Sequence, residues 1–282
     1  MNKWLCRGWR WTALVFAATL LACHREPAAQ GPPGLRVRPF TFQVESGKSV
    51  FQIEGYIALV PQTGRAPAVL IVNSEVRNAR RCVESSEWLG ALGFQVACIS
   101  IPGSGASSGP GRFVGPQAVA AVQHALELLA HRTDVDPNRI AVWGSFNGAM
   151  AVGLAMDSEL RVRAVILESG TYDMVKLWPS ASLMAKLKIL HQVWPSHRAL
   201  DERSVLPHLP ARLDLSVLIL HGERDGKSPP AQARLLEQQL KERGASVKAY
   251  YFPDGGHDLG ARVQKPVEEF LREIFVAQNQ PG

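Results

Sequence analysis

Five short apolar segments without a charged residue constrain the fold of this chain more than any other feature. They are residues 68–72, 96–99, 140–143, 164–167 and 217–220. Strands that are buried on both faces of a sheet have this composition. Stretches with helical character lie between them, at Cys82 to Leu92, Pro116 to His131, Gly148 to Met156 and Ala231 to Arg243, with a last one from about Leu259 to Val276. The alternation predicts an α/β fold with a doubly wound, mostly parallel sheet.

Two further regions depart from this alternation. Residues 40–44 and 50–59 alternate apolar and polar side chains, which predicts an antiparallel pair of strands at one edge of the sheet. Residues 172–215 contain no clear strand and predict an inserted helical cap that gives a site an apolar wall. Most of the apolar side chains at helical spacing in this cap are expected to pack in the core. They are Trp178, Leu183, Met184, Leu187, Leu190, Val193 and Trp194.

The amino-terminal segment has the organisation of a targeting signal. Residues 1–10 are basic, and residues 11–22 form an apolar run that is shorter than the roughly 20 residues needed to span a bilayer. The sequence Leu-Leu-Ala-Cys that ends at Cys23 resembles the bacterial lipobox. The resemblance implies a lipoprotein signal peptide over residues 1–22 and a lipid on Cys23. The segment that follows contains three prolines and no apolar period, which predicts a tether over 23–34 and a folded domain over 35–282. A conventional signal peptide with an incidental cysteine, or a membrane anchor, are the alternatives.

Such a lipoprotein is expected in the bacterial cell envelope, lipid-anchored in the outer membrane and facing the periplasm, with the inner membrane as the alternative. The formal net charge is +6, and three of these positive charges, Lys3, Arg7 and Arg10, belong to the signal. The small remaining excess is not clustered, so no nucleic-acid partner is predicted. Cys82 and Cys98 either form a disulfide, as an oxidising envelope permits, or are two buried thiols. No metal-ligand spacing occurs, and no cofactor is implied.

Four motifs follow one another in a recognisable order. Residues 138–149 combine a strand, a glycine-flanked turn and a helix start, and residues 101–109 form a glycine-rich turn after an earlier strand. Residues 221–225 and 252–258 each follow an apolar strand and contain an aspartate and a histidine. Together they resemble the nucleophile elbow, the turn after the fourth strand, the acid loop and the histidine loop of the α/β-hydrolase superfamily. The resemblance covers most of residues 40–277 and is greatest to the dienelactone-hydrolase and prolyl-oligopeptidase-like group.

The resemblance implies a catalytic pair in which Asp225 orients the imidazole of His257. The family's elbow is G-x-S-x-G, and Gly144 and Gly148 have the required spacing. The residue midway between them is Phe146, whose phenyl ring has no lone pair for attack on an acyl group. An inherited polar pair that is retained only for local structure is the alternative interpretation of the aspartate and histidine.

Ser145 precedes the family's nucleophile position by one residue and is the remaining candidate for a nucleophile. The backbone amides of Asn147 and Glu75 are the candidate oxyanion donors, because they follow the nucleophile position and the third strand. Glu75 departs from the His-Gly that often follows that strand in the family. Its carboxylate would oppose developing negative charge if it pointed inward. Asp258 is expected to cap the last helix, and the remaining histidines, His221 among them, are expected on surfaces or in loops.

Three functions remain open at this point. The first is an inactive or atypical serine hydrolase that binds a small ligand with an acyl or aromatic group, as Phe146 suggests. The second is an active esterase, thioesterase or peptidase-like hydrolase in which Ser145 attacks, His257 transfers the proton and Asp225 orients the imidazole. The third is an envelope scaffold whose only function is interaction, which would have an absent or filled pocket.

Overall fold

A computed structural model describes residues 36–61, 63–73, 78–111, 113–156 and 161–275 of this chain. The predicted signal peptide, Cys23 and the tether lie outside these residues. Eight strands in the described part form one sheet in the order β1-β2-β4-β3-β5-β6-β7-β8. The strands are β1 (Arg36–Ser46), β2 (Ser49–Leu59), β3 (Ala66–Asn73), β4 (Gln95–Ser100), β5 (Val135–Ser145), β6 (Ala164–Glu168), β7 (Ser216–Gly222) and β8 (Ser246–Phe252).

The pairing of the strands confirms the doubly wound, mostly parallel sheet. Strand β1 pairs antiparallel with β2, and β2 pairs antiparallel with β4. All other neighbours, from β4 through β3, β5, β6 and β7 to β8, are parallel. The predicted antiparallel pair at one edge is therefore also confirmed. The carboxyl ends of five consecutive parallel strands, β3 and β5 to β8, meet at one edge, where ligands bind in folds of this kind.

The described residues contain nine α-helices, of which the last follows the final strand. They are α1 (Ala79–Ser85), α2 (Glu87–Ala91), α3 (Pro116–Ala130), α4 (Asn147–Leu154), α5 (Met174–Leu177), α6 (Leu183–Leu190), α7 (His197–Asp201), α8 (Pro230–Glu242) and α9 (Gln264–Phe275), with 3-10 turns at Trp178–Ser180, Leu206–His208 and Gly260–Val263.

Two predicted helices have different boundaries in the structure. The stretch predicted from Cys82 to Leu92 is two helices, and it begins earlier because the side chain of Asn78 accepts a hydrogen bond from the backbone of Arg81 at 3.0 Å. The last helix is preceded by a 3-10 turn. The carboxylate of Asp258 accepts a hydrogen bond from Gly260 N at 3.0 Å at the start of this turn, whereas the last helix begins only at Gln264, so the prediction that Asp258 caps that helix is wrong.

Successive residues of the central strands contribute to two separate hydrophobic cores. In β3, Leu70 and Val72 belong to the core that contains α3 and α4, whereas Val69 and Ile71 belong to the core that contains α1 and α9. Alternation of this kind requires both faces of the sheet to be covered, which explains the continuous apolar composition of the strands.

The segment between β6 and β7 contains helices α5 to α7 and no strand among its described residues, in agreement with a helical cap. The expectation that most of its apolar stripe packs in the core is wrong. Helix α6 is only eight residues long and buries Ile189, so the rest of its apolar stripe faces outward. Met184 and Trp194 are 75% and 79% exposed, and Leu183, Leu187 and Leu190 are also exposed. No helix of the described chain is long and apolar enough to cross a bilayer.

A disulfide joins Cys82 of α1 to Cys98 of β4, with 6.1 Å between the Cα atoms. From the sequence alone, a disulfide and two separate buried thiols were both open. The disulfide links the first helix after β3 to a strand in the interior of the sheet. It therefore fixes α1 at the edge where the candidate site lies.

Candidate functional site

The turn between β5 and α4 contains a strained residue. Phe146 has φ 56° and ψ −118°, a backbone conformation that side-chain-bearing residues adopt rarely and at a cost in free energy. Two hydrogen bonds hold it there: its N–H donates to the carbonyl of Glu168 at 2.9 Å, and its carbonyl accepts from Met150 N at 3.3 Å. Such strain persists only where the surroundings fix it, and it is frequent at functional sites.

Glycines on both sides of Phe146 permit this turn. A Cβ atom on Gly144 would collide with the carbonyl of Gly148, and a Cβ atom on Gly148 would collide with the carbonyl oxygen of Val72 on strand β3. Backbone atoms cannot move aside as the end of a long side chain can. The close approach of the turn to β3 therefore requires glycine at both positions.

The acid loop and the histidine loop meet at the carboxyl ends of β7 and β8. His257 Nδ1 lies 2.8 Å from Oδ2 of Asp225, and the Asp225 side chain is fully buried. The same carboxylate accepts hydrogen bonds from the backbone N–H groups of Lys227 at 2.8 Å and Ser228 at 2.9 Å. Burial raises the pKa of Asp225, but these three hydrogen bonds outweigh it and hold that pKa below its ordinary value. An ionised Asp225 is suited to orient and stabilise a protonated imidazole.

The ring of Phe146 packs on the imidazole of His257, with 4.5 Å between the ring centroids and 34° between the ring planes. The structure therefore brings together three of the residues that the sequence singles out. The phenyl group thus lies on the ring of the histidine whose Nδ1 is hydrogen-bonded to Asp225.

Ser145 has a different partner. Its Oγ donates a hydrogen bond to Oε2 of Glu168 at 3.1 Å, and the indole Nε1 of Trp143 donates to the same oxygen at 3.1 Å. Ser145 and Glu168 are opposite each other in the parallel pairing of β5 and β6. Burial raises the pKa of Glu168 to about 7, although both hydrogen bonds favour the charged form.

The structure describes one of the two predicted oxyanion donors. Asn147 is the first residue of α4, and amides in the first turn of a helix have no intrahelical acceptor. Glu75 lies outside the described residues.

A cavity of about 310 Å³ lies beside this turn. Ser145, Phe146 and Glu168 line it from the sheet side, together with Trp143. The other side is lined by Trp88 of α2 and by five residues that precede or begin α9, namely Asp258, Gly260, Ala261, Val263 and Gln264. The volume is at the lower end of the range for small-molecule sites. In the described part of the chain, no group of three or more His, Cys, Asp or Glu residues is placed to hold a metal ion.

Two buried titratable residues of this region were not identified from the sequence. The expectation that His221 lies on a surface or in a loop is wrong, because it is fully buried near the end of β7. Its Nε2 is 2.8 Å from the carbonyl oxygen of Ser228 and 3.4 Å from Oδ2 of Asp225, and burial lowers its pKa. Glu168 likewise ends β6. In both cases the sequence signal that could have predicted burial was an apolar strand followed directly by the titratable residue.

Comparison with known proteins places these features in a family. The profile of the prolyl oligopeptidase family matches residues 84–278. An uncharacterized protein of Mycobacterium tuberculosis is 29% identical over 272 residues, which cover 92% of this chain and 83% of that protein. An α/β-hydrolase domain-containing protein of Arabidopsis thaliana is 28% identical over 219 residues, which cover 72% of this chain and 67% of that protein.

Among solved structures, acetyl xylan esterase 1 from Thermoanaerobacterium sp. has the same fold, with a TM-score of 0.63 and 16% identity over 85% of this chain and 89% of the esterase. The 2,6-dihydroxy-pseudo-oxynicotine hydrolase gives a TM-score of 0.68 and 17% identity over 86% of this chain and 70% of the hydrolase. The fold is that of the α/β-hydrolases, and the chain belongs to the prolyl oligopeptidase family.

Proposed function

We propose that this protein is an inactive or atypical serine hydrolase that binds a small ligand with an acyl or aromatic group. The observation that carries the proposal is the position of Phe146 in the strained turn, with its ring on His257. In this proposal Phe146 occupies the nucleophile position of the elbow. A serine hydrolase needs a hydroxyl oxygen at that position to attack the acyl carbon and a histidine to take its proton. A phenyl ring provides no nucleophilic oxygen, and here it covers one face of the imidazole.

The cavity beside Phe146 is the proposed binding site. It combines aromatic and apolar walls with polar groups that include Ser145 and Glu168, and small-molecule sites use such groups to orient a ligand. The third function considered from the sequence, a scaffold without a pocket, is less consistent with an open cavity of about 310 Å³ at this edge of the sheet.

An active hydrolase that uses Ser145 is the second candidate, favoured by the position of Ser145 in the lining of this cavity. In that mechanism Ser145 Oγ attacks the acyl carbon, its proton passes to His257, and the N–H of Asn147 binds the oxyanion. The hydrogen bond from Ser145 to Glu168 argues against it, because the hydroxyl then points toward a carboxylate on β6.

Labelling with a fluorophosphonate separates the two candidates. The full-length protein, purified in detergent, is treated alongside Ser145→Ala and His257→Ala, and a working serine hydrolase serves as the control for the reagent. We expect no labelled serine by peptide mass spectrometry and no turnover of activated esters. Labelling at Ser145 that disappears in both variants would reject the binding-protein proposal and establish a displaced nucleophile.

We also propose that the chain is a lipoprotein of the bacterial envelope, anchored by a lipid on Cys23. The Cys82–Cys98 disulfide supports a compartment outside the cytoplasm. The exposed apolar face of α6, which carries Lys186 and Lys188, has the composition of a surface that contacts a membrane interface. The test is metabolic labelling with an alkyne fatty acid in the wild type and in Cys23→Ser. Equal labelling of both proteins would reject the assignment.

A further inference from the structure

We infer that the cavity beside Phe146 binds a small organic cation whose ammonium group is placed against the carboxylate of Glu168. The inference rests on the proposed ligand-binding function and specifies the charge of the ligand. It assigns a role to Glu168 at the buried end of the cavity, which takes no part in the hydrolase mechanism considered above.

The charges that line the cavity favour a cation. Two carboxylates, Glu168 and Asp258, belong to its lining, and its described lining contains no Lys, Arg or His. Asp258 is exposed, whereas Glu168 is 6% exposed. A ligand that enters from solvent therefore meets one carboxylate at the exposed end and a second at the buried end. This arrangement attracts a cation and repels an anion.

The hydrogen bonds of Glu168 leave room for a ligand. The hydroxyl of Ser145 and the indole N–H of Trp143 both donate to Oε2. Oε1 accepts no hydrogen bond from any residue that the structure describes. A buried carboxylate is unfavourable unless a charge or further donors compensate for its lost hydration. An ammonium group brings both a positive charge and three N–H donors.

The walls of the cavity suit the organic part of such a ligand. The rings of Trp88 and Trp143 meet edge to face, with 6.5 Å between their centroids, and both line the cavity. Indole faces attract cations and pack well against apolar groups. With a volume of about 310 Å³, the cavity fits an amine with one short apolar or aromatic substituent.

The protonation state of Glu168 agrees with this assignment. Burial raises its pKa to about 7, and the negative charge of Asp258 acts in the same direction. A bound ammonium would lower that pKa again, because an opposite charge favours the ionised carboxylate. Binding is therefore best measured at about pH 8, where the carboxylate is ionised and a primary alkylamine is still protonated.

Isothermal titration calorimetry with two ligands of matched shape tests the inference on the full-length protein. The probes are 2-phenylethylamine and 2-phenylethanol, which differ in the charge of one terminal group. We expect the amine to bind at least about tenfold more tightly than the alcohol. Glu168→Gln keeps an acceptor for Ser145 and Trp143 but removes the charge, and it should abolish this preference. Asp258→Asn should reduce it about two- to threefold, as expected for an exposed charge.

The matched control is Asp214→Asn, an exposed aspartate that precedes β7 at the opposite end of the sheet, and it should bind both probes like the wild type. Equal affinity of the wild type for the two probes, equal preference in the wild type and Glu168→Gln, or no binding of either probe up to about 10 mM would each overturn the inference. Binding of the alcohol alone would overturn it and leave ligand binding intact. Failure of the proposed function has a separate readout, which is fluorophosphonate labelling of Ser145.

Discussion

The ring of Phe146 packs on the imidazole of His257, and the centroids of the two rings are 4.5 Å apart. The other side of that imidazole is hydrogen-bonded to a buried, charged aspartate. In the function proposed above, this histidine has the orientation of a general base, and an apolar ring lies where the imidazole would contact a nucleophile. On that proposal the fold retains the support for catalysis, and the missing group is a single side-chain oxygen.

Phe146→Ser should therefore create a reactive serine. The new hydroxyl lies in the strained turn next to His257, so we expect fluorophosphonate labelling at position 146 and measurable hydrolysis of an activated ester. Adding His257→Ala in that background should lower the rate about 10²-fold, the usual contribution of a general base. Phe146→Ala opens the same space without a hydroxyl and should stay unlabelled. A folded Phe146→Ser protein that does not react would contradict our view of the turn.

Gly148→Ala should destabilise the fold severely. The added methyl group would collide with the backbone carbonyl of Val72 on β3, and neither backbone can move without disturbing the sheet. We expect a loss of about 3 kcal/mol or more in the free energy of unfolding, measured with urea. Gly226→Ala is the matched control, because a Cβ atom there meets nothing within 4 Å. A small effect at both glycines would show that the turn is not closely packed.

The sequence predicts the layers of the fold and the positions of Asp225 and His257 because these depend on local patterns. Apolar runs identify the buried strands, and each of the two residues follows such a strand in a glycine-containing loop. Strand register is not local. Ser145 and Glu168 meet only because β5 and β6 pair in parallel with these residues opposite each other. The sequence gives no direct indication of that pairing, so the buried carboxylate was missed.

The cap shows a second limit of sequence patterns. An apolar stripe at helical spacing indicates an amphipathic helix but not what covers its apolar face. Helix α6 buries Ile189 and turns Met184 and its other apolar residues to solvent. His221 also shows that a local pattern does not reveal what covers a side chain. The acid loop folds over the end of β7, and its Ser228 carbonyl oxygen lies 2.8 Å from Nε2 of His221.

The Cys82–Cys98 disulfide should contribute measurably to stability. It closes a loop with a sequence separation of 16 residues, and cross-links of this length stabilise proteins by about 3 kcal/mol, mainly by restricting the unfolded chain. The double variant Cys82→Ser/Cys98→Ser should lose this amount in urea unfolding. Dithiothreitol should lower the stability of the wild type similarly and leave the double variant unchanged. An equal effect of the reductant on both proteins would exclude the disulfide as the cause.

Asp225→Asn should alter the acid dependence of stability. The pKa of Asp225 is lower in the folded protein than in the unfolded chain, so its ionisation stabilises the fold above the unfolded value near 4. This contribution is lost as the pH falls toward the folded pKa. The advantage of the wild type over Asp225→Asn in free energy of unfolding should therefore shrink as the pH falls below about 5. Asp214→Asn, at an exposed position, should follow the wild type, and a constant difference for Asp225→Asn would contradict the prediction.

Glu168→Gln should have the opposite pH dependence. Burial raises the pKa of Glu168 from 4.5 to about 7 in the folded protein, so the folded state holds a proton that the unfolded chain has released. The free energy of unfolding of the wild type should then fall as the pH rises from about 4.5 to about 7 and stay level above that, a loss of about 3 kcal/mol from this group. Asp258, whose charge also raises this pKa, should modulate the loss slightly.

Glutamine cannot ionise, yet it keeps an acceptor for the hydrogen bonds from Trp143 and Ser145. Urea unfolding of the wild type and Glu168→Gln at several pH values isolates the contribution of the carboxylate, because all other titrating groups are shared. We expect the variant to gain stability relative to the wild type as the pH rises, with half of the change complete between pH 4.5 and 7. Parallel curves would mean that Glu168 ionises as readily in the folded protein as in the unfolded chain. In that case a ligand would not be needed to compensate for a buried charge.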